Sequence, residues 1–313
     1  ARVLVPELVM PNGVTLTHDG AALLVCSTFL SGLLRVELPG GGSAEGLAAW
    51  FESQAEGGQE EEVEEGGSGE GSGAAAAATG GFVAKAVLVN DDIQGTGSVV
   101  LSGFINGMRA QNTSMADARV VFFGAGSSAV GVSTMIASLI AMETGKSFDE
   151  AKKAIFQLDT KGLVTTTRGD KLAEHKKLFA RSDQPKELKT LLEVIETVKP
   201  HALFGLSGGG PCFGEAEIKA MCASTANPLI FPLSNPTTKA EITAENAIKW
   251  SDGKCFFAAG SPFPPVEYNG KTYIPGQGNN VFIFPGVGFG AWITNSSEVP
   301  DELLIVAAQE LAA

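Results

Sequence analysis

From about Phe82 onward, short apolar runs alternate along the chain with longer segments of helical period. The runs RVVFF at 119–123 and AIFQL at 154–158 are predicted to be buried strands. Between them, SAVGVSTMIASLIAM at 128–142 is predicted to be a helix that is apolar on most faces. Short strands joined by helices form right-handed crossovers, which place the strands parallel in one sheet.

The same alternation continues through the second half of the chain. The remaining helices are predicted at 96–109, 186–198, 215–223 and 244–250, and the remaining strands at 201–204, 228–233 and 254–258. This order of elements predicts an α/β fold. We expect a Rossmann-like, doubly wound parallel sheet with helices on both faces.

The first 81 residues differ from the rest in composition. Residues 1–38 contain short strand-like runs without a clear period and have no assignment, whereas residues 39–81 are a low-complexity tract of Gly, Glu and Ala. Such a tract buries too little apolar surface to offset the entropy lost on ordering. We therefore expect a disordered linker at 39–81, followed by one globular domain at 82–313.

Charge and cysteine content exclude several classes of partner and site. The formal net charge is −13, but the window from Glu52 to Glu70 holds eight glutamates and no Lys or Arg. Because no basic face is indicated, neither nucleic acid nor a membrane is expected as a partner. The four cysteines are too scattered for C-x-x-C pairs: Cys26, Cys212, Cys222 and Cys255. They indicate free thiols and a cytoplasmic or organellar protein that is not secreted.

The segment after the first strand has the pattern of a dinucleotide-binding turn. In FFGAGSSAVG, Gly124 permits a tight turn, Gly126 lets a pyrophosphate approach the backbone, and Ala129 packs the helix on the sheet. The predicted cofactor-binding residues of this turn are Gly124, Ala125, Gly126, Ser127 and Ala129. Asp159 ends the next strand, where an acid binds the adenosine ribose. A purely structural glycine turn is the alternative.

Polar residues also follow several strands of the second half. The stretches PLSNPT, AAGSPF and PGQGNN predict that Asn235, Ser261 and Asn279 line one crevice, because ligands bind beyond the carboxyl ends of parallel strands. An Asx or Ser turn is the alternative at each position. The stretch GLSGG fits a nucleophile elbow at Ser207, but all three histidines precede it, which argues against a serine hydrolase.

Two adjacent acids, Asp91 and Asp92, precede the first predicted helix in VLVNDDIQGTGS. Like charges this close repel, and each raises the pKa of its neighbour unless a cation or donor compensates. One interpretation is a solvated turn in which these residues cap the helix. The other is a metal or substrate site.

The order and spacing of several long motifs resemble those of malic enzymes. The residues of the motifs resemble those of the NADP-dependent plant and algal branch of that family. These motifs are NDDIQGT, GAGSSAVG, LDTKGLV, PLSNPTTKAE, AAGSPFPPVEYNGKTYIPGQGNN and FPGVGFG. The resemblance implies oxidative decarboxylation of L-malate to pyruvate and CO2 with NADP+, or NAD+, and Mg²⁺ or Mn²⁺. It also implies Asp92 as a metal ligand with Asp91 beside it, and Asn235 and Asn279 as amides that bind malate.

The resemblance places Lys176 where NADP-using members carry a lysine for the 2′-phosphate, although an exposed helix lysine is the alternative. It makes residues 82–313 the NAD(P)-binding domain and implies a homo-oligomer. The family's N-terminal domain, with its catalytic Tyr and Lys, is not recognisable, so no catalytic residue is named and the chain looks incomplete. A dinucleotide-binding module without turnover and another NAD(P)-dependent dehydrogenase are the alternative functions.

Overall fold

The structure is a computed structural model, and it describes residues 11–16, 22–27, 32–37, 90–183, 187–294, 296 and 298–313. Contacts divide the chain into two units, which are described separately. The first unit holds an antiparallel sheet of three strands: β1 (Pro11–Leu16), β2 (Ala22–Ser27) and β3 (Gly32–Glu37). The unassigned strand-like runs of residues 1–38 thus include three strands. The predicted linker at 39–81 lies outside the described residues.

The second unit spans Asn90–Val287 and Pro300–Ala313 and is built on a seven-stranded sheet. The strands of the sheet are β4 (Val120–Phe123), β5 (Ile155–Asp159), β6 (Gly162–Leu163), β7 (Ala202–Gly205), β8 (Leu229–Pro232), β9 (Phe256–Ala259) and β12 (Gly276–Gln277). Two further strands, β10 (Val266–Tyr268) and β11 (Lys271–Tyr273), form a separate hairpin. The order in the sheet is β12-β9-β8-β7-β4-β5-β6. Neighbours pair in parallel except β6, which is antiparallel to β5.

This strand order confirms the predicted α/β, Rossmann-like parallel sheet. The chain runs outward in one direction from β4 through β5 and in the other from β7 through β8 and β9. The direction of winding therefore changes between β4 and β7. In open α/β sheets, the crevice at such a point, beyond the carboxyl ends of the strands, is where ligands bind.

Helices cover both faces of the sheet, as predicted. The helices of the described residues are α1 (Thr96–Ala110), α2 (Ser127–Thr144), α3 (Phe148–Ala151), α4 (Leu191–Val198), α5 (Glu215–Ser224), α6 (Ala244–Trp250), α7 (Phe284–Ile293) and α8 (Asp301–Leu311). On the face of α1, the Phe104 ring meets Phe204, which also packs against Phe122. On the other face, apolar side chains of α4, α5 and α6 form one buried cluster with Val121 and Leu203.

Helix α4 begins at Leu191, so the prediction of a helix from 186 was wrong at its start. Thr190 accepts a hydrogen bond from the Glu193 N–H, and the Glu193 carboxylate accepts one from the Thr190 N–H. This capping box satisfies two N–H groups that the first turn of a helix leaves without partners. The amphipathic pattern shows where the helix packs, whereas the cap decides where it begins.

Helix α2 is long and apolar enough, by length and composition, to cross a membrane. Val132 and Ile136 on this helix are completely buried. Gln157 on β5 also donates a hydrogen bond of 2.8 Å to Ser133 of the helix. These contacts make α2 a core helix that packs on the sheet.

Candidate functional site

The turn between β4 and α2 approaches the loop after β7 closely. Gly124 has a φ of 125°, and a Cβ there would lie 2.3 Å from the Leu206 carbonyl oxygen, so glycine is required. A Cβ on Gly126 would meet nothing within 4 Å, which leaves this backbone open to a ligand. The first N–H groups of α2, from Ser127 on, have no partner within the helix. An anionic phosphate is suited to this position.

The other two residues of the predicted turn support it from below. Ala129 is 1% exposed, and its carbonyl accepts a hydrogen bond of 3.4 Å from Gln157 on β5. Ala125 is buried in a small cluster with Val164 and Leu172. Both small side chains therefore let the turn sit close to the sheet.

Asp159, at the end of β5, is held between two cations. Arg168 Nη1 lies 2.7 and 2.8 Å from the two carboxylate oxygens, and Lys176 Nζ lies 2.8 Å from Oδ2. Partial burial raises the pKa of Asp159, but hydrogen bonds from Lys176 and Arg168 outweigh that effect and hold the pKa at about 2. With one anion and two cations, this cluster carries a net positive charge.

The β5–β6 hairpin brings the two cations back to Asp159. Because β6 pairs antiparallel with β5 after a short turn, the chain returns beside the end of β5 without a crossover helix. Arg168 Nη2 fixes this return by donating to the carbonyls of Gly162 and Leu163 at 2.8 and 2.6 Å. Sequence reasoning found Lys176 but missed Arg168. The sequence signal that could have identified Arg168 is a basic residue a short distance after an acidic residue that ends a strand.

A cavity of about 270 Å³ lies at the carboxyl ends of β7 and β8, next to the glycine turn. Its lining includes Thr96, Ser128, Gly208, Ser234, Asn235 and Asn280. Asn235 accepts a hydrogen bond of 2.6 Å from the Ser261 hydroxyl, so the structure brings together two residues that the sequence grouped. A Cβ on Gly260 would lie 2.8 Å from Asn235 Oδ1. The glycine therefore permits the position of this amide.

Asn279, which the sequence placed in the crevice, is not among the residues that line this cavity. Its side-chain oxygen accepts a hydrogen bond of 2.9 Å from the Val281 N–H, capping the 3₁₀ turn Asn280–Phe282. The adjacent Asn280 lines the cavity, and its amide donates to Thr96 Oγ1 at 3.2 Å. The turn that Asn279 caps decides which of the two neighbours faces the crevice.

The two acids Asp91 and Asp92 open a π-helical turn, Asp91–Gly95, that leads into α1. Asn90 caps this turn, since its side-chain oxygen accepts a hydrogen bond of 3.0 Å from the Ile93 N–H. Gly131 of α2 makes room for Ile93, because a Cβ there would lie 2.4 Å from Ile93 Cγ2. The backbone of the acidic turn is thus fixed against the helix that follows the glycine turn.

The residues that the structure describes do not by themselves complete a metal centre. No group of three or more His, Cys, Asp or Glu residues suited to a metal ion occurs among them. A hard divalent cation takes six or more oxygen ligands, several of them from carboxylates or water. Thr96, four residues after Asp92, lines the cavity. The assignment of Asp92 and Asp91 as metal ligands stays a prediction.

Comparison with known sequences identifies relatives of this chain. A family model described as "Malic enzyme, NAD binding domain" matches residues 93–313. The NADP-dependent malic enzyme of Dictyostelium discoideum is 53% identical over 228 residues, which are 73% of this chain and 42% of that protein. The NADP-dependent malic enzyme of Vitis vinifera is 44% identical over 223 residues, or 71% of this chain and 37% of that protein.

Solved structures agree with this assignment. The malic enzyme of Entamoeba histolytica matches with a TM-score of 0.55 at 27% identity, over 70% of this chain and 40% of that chain. The NAD-dependent malic enzyme of Thermotoga maritima has a TM-score of 0.56 at 24% identity over 72% and 52% of the two chains, a likeness of fold alone. The chain spans about two fifths of the curated relatives it matches. Since the family model matches more than two thirds of its length, the chain belongs to the malic enzyme family through its NAD-binding domain.

Proposed function

We propose that residues 82–313 are the dinucleotide-binding domain of an enzyme that converts L-malate to pyruvate and CO2 with NADP+. The observation that carries the choice of cofactor is the pair of cations, Arg168 and Lys176, on the carboxylate of Asp159. The relatives named NADP-dependent malic enzymes support both the cofactor and the substrate.

The cation pair suits a ribose that carries a 2′-phosphate. The phosphate brings nearly two negative charges to a cluster whose own net charge is positive, and Arg168 offers a guanidinium that can bind it at two atoms. Lys176 can exchange its bond with Asp159 for one with the phosphate. NAD+ has a hydroxyl at this position and leaves both cations with Asp159, so the cluster gains little from it.

The pyrophosphate is assigned to the glycine turn. The first turn of α2, from Ser127 on, supplies N–H donors and a partial positive charge, and Gly126 leaves open space in front of them. Nicotinamide bound beyond this turn supplies the hydride acceptor. Asp159, at the end of the neighbouring strand, then lies on the adenosine side of the fold.

The malate carboxylates are assigned to the amides of the crevice. Asn235 and Asn280 both line it, and amide N–H groups donate hydrogen bonds to carboxylates. We therefore assign to Asn280 the role that the sequence analysis gave to Asn279. No Tyr or Lys occurs among the residues that line the described cavity. The chain alone is therefore expected to bind dinucleotide without converting malate.

A divalent metal, Mg²⁺ or Mn²⁺, would polarise the malate hydroxyl, with Asp92 and Asp91 as its predicted ligands. The binding scheme above does not depend on it. Cys212, Cys222 and Cys255 are free thiols, which suits a cytosolic or organellar compartment. Two plant relatives are named chloroplastic. We also propose a homo-oligomer, with malate and pyruvate as ligands and neither nucleic acid nor membrane as a partner.

The test is a chimaera in which residues 90–313 replace the matching segment of the Dictyostelium relative. We expect malate-dependent formation of NADPH and pyruvate, measured by absorbance and by product analysis. The unmodified relative is the positive control, and the chain alone should bind NADPH without turnover. A chimaera that folds and binds NADPH but does not convert malate would contradict the substrate assignment.

A further inference from the structure

A carboxylate lies buried beneath the crevice without a cation beside it. Glu241 is 0% exposed, and none of the ion pairs in the described part of the chain includes it. Burial of an unpaired charge is costly unless hydrogen bonds compensate. The proposed contacts to dinucleotide and malate do not use this residue.

Hydrogen bonds from two loops converge on one oxygen of Glu241. The Ser207 N–H and hydroxyl donate to Oε1 at 2.9 and 2.7 Å, and the Ser234 hydroxyl donates to the same oxygen. The two serine oxygens in turn accept from the N–H groups of Gly208 and Gly209 at 2.9 and 3.3 Å. Each of those bonds uses one lone pair of a serine oxygen, and both serine hydroxyl groups donate to Glu241. Glu241 Oε1 is the acceptor in each of the three hydrogen bonds from Ser207 and Ser234.

These bonds also show that Ser207 is not the nucleophile of a hydrolase. Its hydroxyl donates to Glu241, and among the described residues no histidine forms a hydrogen bond with it. The GLSGG stretch instead forms part of a loop that the buried carboxylate holds. Gly205 makes room for that carboxylate, because a Cβ there would lie 2.4 Å from Glu241 Oε2.

Glu241 lies on the side of the fold where the nicotinamide is expected. Ser234, which donates to Glu241, also lines the crevice, so one hydrogen bond separates the carboxylate from the cavity. The two halves of a dinucleotide fold bind the two nucleotides, and Asp159 assigns the adenosine half to β5. The nicotinamide nucleotide therefore belongs to the β7–β8 side.

The charge of Glu241 acts on its surroundings. Burial raises the pKa of the Cys212 thiol, and the negative charge of Glu241 raises it further, to about 12. Cys212 is an exposed residue of the same loop, and its N–H donates to the Glu241 carbonyl at 2.8 Å. The charge of Glu241 thus acts on a side chain of the loop that follows β7.

We propose that the buried charge of Glu241 makes the site bind NADP+, whose nicotinamide ring is cationic, in preference to NADPH, whose ring is neutral. This inference rests on the proposed dinucleotide binding. The two cofactors differ at the ring by one positive charge, so attraction to Glu241 acts on only one of them. The preference favours binding of the oxidised cofactor before malate oxidation and release of the reduced cofactor afterwards.

The test uses the full chain and its Glu241→Gln variant, which removes the charge and nearly keeps the shape. NADPH affinity is measured by fluorescence titration, and NADP+ and 2′-phospho-ADP-ribose by displacement of NADPH. We expect NADP+ affinity to fall about tenfold, the effect of one unit charge about 12 Å away at an effective dielectric constant of about 20. NADPH and 2′-phospho-ADP-ribose, which lack the cationic ring, should bind as before. Glu215→Gln, which removes an exposed acid of α5, is the matched control.

If Glu241→Gln left the ratio of the NADP+ and NADPH affinities unchanged, whether both affinities fell equally or neither changed, the proposed role of the charge would be overturned. A wild-type chain that binds none of the three nucleotides would overturn the proposed dinucleotide site as well. If Glu241→Gln does not fold, as judged by its melting temperature, Cys212→Lys tests the same charge from the surface. Cys212→Lys should lower the affinity for NADP+ relative to that for NADPH, and Cys212→Gln is its uncharged control. An unchanged ratio of the two affinities in Cys212→Lys would contradict the proposal.

Discussion

Replacing Lys176 with glutamine should remove most of the preference for NADP(H) over NAD(H). The ammonium group lies 2.8 Å from Asp159, and the side chain is 21% exposed, so it is partly shielded from water and salt. Among the described residues, the Lys176 ammonium group bonds to that carboxylate, whereas Arg168 also holds the backbone of the hairpin. Lys176 can therefore be changed with little effect on the fold.

The size of the effect follows from the charges of the cluster. In the wild-type chain, two cations face Asp159 and the incoming phosphate, and in Lys176→Gln only Arg168 remains. A hydrogen bond between charged groups contributes about 1.5–3 kcal/mol, which corresponds to a loss of roughly 10- to 100-fold in NADPH affinity. NADH carries no phosphate at this position, and its affinity should stay unchanged.

The assay is fluorescence titration of each variant with NADPH and with NADH under the same conditions. Lys177→Gln is the matched control, because Lys177 is the next residue, is 50% exposed and pairs with Glu174 on the surface. It should bind both dinucleotides as the wild type does. If Lys176→Gln lost affinity for NADPH and NADH equally, or if Lys177→Gln showed the larger loss for NADPH, the assigned phosphate site would be wrong.

Three further predictions concern the glycine turn, Asp159 and the acidic pair. Gly126→Ala should fold normally, because its Cβ meets nothing, yet it should bind NADPH more weakly. Gly124→Ala should instead lower the melting temperature. A normal NADPH affinity for Gly126→Ala would refute the assigned position of the phosphate. The pKa of Asp159 is lowered from 3.8 to about 2. The ion pairs of the Asp159 carboxylate therefore stabilise the fold above about pH 4, and this stabilisation is lost as the pH falls toward 2. Urea unfolding should show a loss of about 1–2 kcal/mol over that interval, smaller in Asp159→Asn. In the chimaera, Asp92→Asn should weaken Mn²⁺ binding measured by electron paramagnetic resonance, and an unchanged affinity would exclude Asp92 as a ligand.

The sheet was predictable because its strands are buried on both faces. RVVFF and AIFQL are almost continuous apolar runs, which is typical of parallel strands between two layers of helices. The glycine turn could also be predicted, since the close approach of Gly124 to Leu206 requires glycine there and Gly126, two residues on, leaves the backbone open to a ligand. Both features depend on local sequence, so they could be predicted without knowledge of the long-range contacts.

The rest of the site depends on contacts that no local pattern encodes. Arg168 reaches Asp159 only because β6 turns back as an antiparallel hairpin, where a right-handed crossover to another parallel strand was expected. A single capping hydrogen bond holds the Asn279 side chain, while its neighbour Asn280 lines the cavity. Glu241 ends the PLSNPTTKAE motif, but its contacts could not be predicted from that motif, because its partners come from loops after two different strands.

The most direct test of the proposed cofactor site is calorimetric titration of the purified chain with NADPH and, in parallel, with NADH. The pair Arg168 and Lys176 predicts that NADPH binds at least about tenfold more tightly, and that added salt reduces this difference because the contacts are ionic. Equal affinities for the two dinucleotides, or no binding of either by a folded chain, would contradict the account.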